Sequence, residues 1–76
     1  MARMKDIITK LPDNVMDRIE EYRFQYGVYT NVRLQAEVRG RMAGYVLGLR
    51  DAGLITEFER RALFCYMTVA PLGKEN

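Results

Sequence analysis

The sequence predicts an all-α fold: a short N-terminal arm plus a three-helix domain with a C-terminal αα-hairpin, assembled as an oligomeric helical bundle. Three observations predict it. Apolar residues recur at steps of three and four in each long segment. Capping and stop residues bracket those segments. The chain's 76 residues, 49% hydrophobic and 29% charged, have globular composition and leave no room for a second domain.

The arm, α1, covers residues 4–11 and sets Met4, Ile7, Ile8 and Leu11 at helical spacing. So short a segment is not helical alone, so it is expected to dock those side chains on the rest of the domain. Pro12 then breaks the chain, because the residue before proline is driven out of the α region. Helix α2 is expected over 13–26, capped by Asp13 or Asn14, with Asp17, Glu20 and Glu21 toward the positive end of its dipole. Its buried stripe is Val15, Ile19, Tyr22 and Tyr26. Arg18 and Arg23 lie within one turn of carboxylates, and Gly27 reads as a stop.

Helix α3 is the longest, over 31–52, with Thr30 or Asn31 as cap and Val38, Met42, Tyr45, Leu49 and Ala52 as its packing seam. Gly53 suits the position after the last helical residue, with Leu54 folding back on Leu49 in a Schellman ending. Helix α4 is expected over 57–69. Thr56 and Glu59 form a capping box, Phe58, Ala62, Cys65, Tyr66 and Val69 form the buried stripe, and Pro71 stops the helix before a loose tail at 72–76. The brief connection forces α3 and α4 into an antiparallel hairpin.

One pattern departs from ordinary helical composition. Gly40, Gly44 and Gly48 repeat every four residues along α3, and Ala36 and Ala52 extend the row. Each glycine inside a helix costs about 1 kcal/mol relative to alanine, a large sum for so small a domain. Taking Gly40 as zero, Gly44 lies near 40° and Gly48 near 80°, away from the bulky seam. The row, with Leu47 beside it, is expected to let another backbone approach closely, and a second copy of the chain is expected to supply it. A break in α3 near Gly40, or mere tolerance of the glycines on a solvated face, are the competing readings.

The chemistry present points away from catalysis, metal and cofactor. Without histidine there is no imidazole acid or base and too few zinc ligands, and a single cysteine forms no internal disulfide. Cys65 reads as a small buried hydrophobe on the α4 stripe, and Glu20–Glu21 and Glu57–Glu59 as solvated pairs. The uncharged run 42–49 is eight residues, far short of the roughly 20 that span a bilayer. Asp6 and Lys10 interrupt any signal-peptide core, so a cytoplasmic protein is expected. Aromatics off the predicted stripes, Phe24, Tyr29 and Phe64, point either to a protein interface or to closure of a small bundle around its edges.

Nine of the 12 basic residues are arginine, so a small DNA- or RNA-binding regulator using Arg33, Arg41, Arg60 and Arg61 is the alternative. Against it, acids interleave with the bases and the net charge is only +2.

The strings Leu11-Pro12-Asp13-Asn14-Val15, Gly44-Tyr45-Val46, Arg50-Asp51-Ala52-Gly53-Leu54-Ile55-Thr56 and Tyr66-Met67-Thr68-Val69 resemble small early accessory proteins of lambdoid phages and prophages, of the exo–xis region type. The resemblance runs over nearly the whole chain. It implies a non-enzymatic protein of the host cytoplasm, linked to the lysis–lysogeny decision or to interference with host replication. It also implies an unidentified host or phage protein as partner.

Overall fold

The computed structural model describes residues 4–69, in which four helices occur: α1 (Met4–Thr9), α2 (Asp13–Val28), α3 (Val32–Asp51) and α4 (Glu57–Val69). No strand occurs among the described residues. The predicted all-α class, the continuity of α3 through Gly40 and the span of α4 all hold. The Val69 side chain, the Pro71 stop and the 72–76 tail lie outside the described residues.

One core joins all four helices. Ile7 and Leu11 enter it from the arm, Val15 and Ile19 from α2, and Val38, Met42, Val46 and Leu49 from α3. Ile55, Leu63 and Met67 come from the α3–α4 connection and α4. Tyr22 and Tyr26 pack against its edge, so the α2 stripe is as expected. Tyr22 meets Tyr45 edge to face, ring centroids 5.7 Å apart, where α2 crosses α3. The arm rests on α4 and is pinned by Lys10, whose Nζ lies 2.6 Å from Glu59 Oε1.

Of two helix starts, one departs from expectation and the other follows it. Neither Asp13 nor Asn14 caps α2: Pro12 occupies the cap position and makes no side-chain hydrogen bond. Its carbonyl accepts from Val15 N and Met16 N. The restricted φ of Pro12 fixes the start without a side-chain acceptor. Helix α3 behaves as predicted, with Asn31 Oδ1 accepting from Arg33 N at 2.8 Å and Leu34 N at 3.2 Å.

The helix ends also split. Gly27 does not stop α2, which continues to Val28, and its φ is not positive. Gly53 does take the left-handed conformation, φ +80°. Gly53 N donates to Arg50 O and Leu54 N to Leu49 O, the two bonds of a Schellman ending. The apolar partner is displaced by one residue, because Leu54 stays exposed and Ile55 is buried. Thr56 and Glu59 then complete the predicted capping box, with Glu59 N to Thr56 Oγ1 at 3.1 Å and Thr56 N to Glu59 Oε1 at 2.9 Å.

The stripe of α4 is the main correction. Leu63 and Met67 are fully buried, whereas Phe58 is 61% exposed, Cys65 is exposed, and Ala62 and Tyr66 are half-buried. Cys65 is therefore not a buried hydrophobe. On α3, Val46 joins the core and Ala52 leaves it.

Candidate protein-interaction surface

Helix α3 has two faces of opposite character. At about 100° per residue from Gly40, its buried Val38, Met42, Val46 and Leu49 fall between roughly 160° and 240°. From roughly 300° through 0° to 80° run Ala43, Ala36, Leu47, Gly40, Gly44 and Gly48, with the charged Arg33, Asp51 and Glu37 among them, all exposed. A methyl group added to Gly40, Gly44 or Gly48 would meet nothing within 4 Å. None of the three has a positive φ. Neither backbone conformation nor packing among the described residues requires glycine there, so none of the four helices occupies the close approach that the row permits.

Beside the row an open groove of about 540 Å³ runs along α3. Ala36, Gly40 and Ala43 form its floor; Tyr26, Val32 and Phe64 form its walls. Two polar side chains hold the walls in place. Gln35 Nε2 donates to Tyr29 O at 2.7 Å and Tyr26 O at 3.2 Å, fastening the end of α2 to the start of α3. The Arg39 guanidinium lies 6.0 Å from the Phe64 ring centre. Val32, 80% exposed, stands at the mouth.

Charged groups elsewhere are largely spent within the chain. Glu57 accepts from Arg60 at 2.6 and 2.8 Å and from Arg50 at 2.7 Å. Arg60 first, and Arg50 second, pull the Glu57 carboxyl down to about 2 and are themselves raised. Glu59 is lowered by Lys10 and by the Thr56 amide. Tyr66 donates to Glu20 Oε2 at 2.8 Å, and burial followed by that bond raises its phenol. Arg23 lies over the Tyr66 ring at 4.5 Å. Among the described residues no group of three or more His, Cys, Asp or Glu is placed to hold a metal ion. No helix there is long and apolar enough to cross a membrane.

The structure sorts the residues that the sequence singled out. Ala36, Gly40, Gly44, Leu47 and Gly48 share one open face, and Leu47 is 40% exposed on it. Ala52, the C-cap of α3, is also exposed, one turn beyond Gly48, with its N–H directed at Gly48 O and Arg50 O. Phe24 is 53% exposed on α2. Tyr29 is half-buried against the core, so its ring closes the domain. Of the arginines, Arg33, Arg41 and Arg61 are exposed and make no ion pair among the described residues, whereas Arg60 is engaged by Glu57. Sequence reasoning singled out Phe64 as an interface aromatic but missed Val32, Ala43 and Tyr26 as lining of this groove. The signal for Ala43 was present: Ala36, Gly40, Ala43 and Leu47 step by four, three and four.

Comparison of the chain with protein-family models, with curated proteins and with solved structures returned no match.

Proposed function

We propose that this chain is a non-enzymatic helical protein-interaction module, a homodimer built on the open face of α3. In this reading its remaining exposed apolar side chains, Phe24 among them, face a host or phage protein in the cytoplasm. The observation that carries it is the row of helix-interior glycines whose Cβ positions meet nothing. Selection for stability alone would fill such positions with alanine. The resemblance to lambdoid early accessory proteins supports a small adaptor of this kind. The test replaces Gly44 with leucine: the isolated domain keeps its helical spectrum, while self-association measured by sedimentation is lost. Undiminished association would overturn the proposal.

The exposed, unengaged Arg33, Arg41 and Arg61 favour a second reading, nucleic-acid binding. Salt separates the two. Several phosphate contacts lose orders of magnitude in affinity between about 50 and 200 mM salt, whereas apolar association weakens only mildly.

A further inference from the structure

We infer that the open face of α3 seats α3 of a second copy in antiparallel orientation, with the two-fold axis level with Met42 and Arg33 of each copy facing Asp51 of the other. This rests on the homodimer proposed above and adds its direction and register.

The argument begins with charges that α3 carries at the wrong ends. Arg33 lies in its first turn and Asp51 is its last residue. The helix dipole disfavours a cation at the N-terminus and an anion at the C-terminus. Both side chains are exposed, that of Asp51 by 63%. Arg33 makes no ion pair among the described residues. Arg50 uses only Oδ1 of Asp51, leaving Oδ2 available. Both residues project at roughly 20° on the same scale, along the midline of the open face.

Arg33 and Asp51 are equidistant from residue 42, nine positions each way. So are Gly40 and Gly44, two positions each way, and Ala36 and Gly48, six positions each way. A two-fold axis crossing α3 at that level sets Gly40 against Gly44 of the second copy and Ala36 against its Gly48. Small residue meets small residue at each of these levels. Leu47, the bulky apolar side chain on this face, then comes to the height of Glu37 of the second copy, over the shallow floor formed there by Ala36 and Gly40. Each Arg33 comes opposite an Asp51, twice per dimer.

Other arrangements lose this match. In a parallel pair Arg33 meets Arg33 and Asp51 meets Asp51, so both ends repel. A slip of one turn either way puts Arg33 opposite residue 47 or 55 and breaks both ion pairs. The face is thus complementary to itself in one direction and one register, which selects a second copy as its occupant.

The test is a charge swap read by sedimentation equilibrium of the full chain in about 50 mM salt. Arg33→Asp and Asp51→Arg should each weaken the dimer by about tenfold, and the double variant should recover most of the loss. Each replacement suits the helix end that receives it, so circular dichroism should show the fold intact in all three. A double variant as weak as the single ones overturns the register while leaving the homodimer standing. A wild-type chain that stays monomeric at several hundred micromolar overturns both.

Discussion

The two faces of α3 are built from the same twenty residues on opposite terms. On one, Val38, Met42, Val46 and Leu49 are buried against neighbours from every other part of the fold. On the other, Gly40, Gly44 and Gly48 look onto empty space. The first face gains stability for the domain from bulk. The second gives some away, because glycine in a helix costs about 1 kcal/mol relative to alanine and nothing among the described residues offsets it. The second copy proposed above accounts for that one-sided loss.

The largest effect expected from breaking this contrast is on the buried side. Met42→Ala should cost about 2–5 kcal/mol in urea unfolding, enough to abolish folding of a domain of this size. On the open side the sign reverses. Gly40→Ala, Gly44→Ala and Gly48→Ala should each raise stability by about 0.5–1 kcal/mol in thermal melts while weakening self-association. If the alanine variants melt lower than the wild type, the open face has a partner within the chain and the contrast collapses.

Helix α4 offers a sharper version of the same test. Leu63→Ala should cost about 2–5 kcal/mol, whereas Phe58→Ala should stay within about 0.5 kcal/mol because the ring is mostly in solvent. The Cys65 thiol, being exposed, should react with a thiol reagent in the native protein as fast as in denaturant.

The smallest effect concerns the α3–α4 connection. Glu57 sits between Arg50 and Arg60 and titrates near 2 instead of 4.5. A carboxyl lowered on folding contributes its full stabilisation above its ordinary pKa and loses it as pH falls toward the folded value. The melting temperature should therefore decline between pH 4.5 and 2, and by less in Glu57→Gln.

The parts of this fold that sequence reveals are those governed by local chemistry. The Asn31 cap, the Gly53 ending and the Thr56–Glu59 box each need only residues within five positions, and the hydrogen bonds of all three form as read, while Leu54 stays exposed beside the Gly53 ending. The rotation of α4 was not legible, because apolar side chains surround that helix almost completely. Phe58, Ala62 and Cys65 keep helical spacing as well as Leu63 and Met67 do, yet Phe58 and Cys65 point roughly 140–160° away from Leu63. Packing distant in sequence decides between the two stripes: Leu63 and Met67 fit the core with Ile7, Ile19, Val38 and Met42, and the contacts of Lys10 with Glu59 and Glu20 with Tyr66 accompany that rotation. For the candidate site the small-residue row was visible as a pattern, but its emptiness was not. Spacing tells that a backbone can come close; only the packed structure tells that none among the described residues does.

The bond between Lys10 and Glu59 also has a consequence for the order in which the molecule comes into being. It joins positions 49 residues apart, and the arm's helical neighbour is α4. During synthesis the arm leaves the ribosome well before α4, its seat. Ile7 and Leu11 therefore wait for their seat until α4 has followed them out.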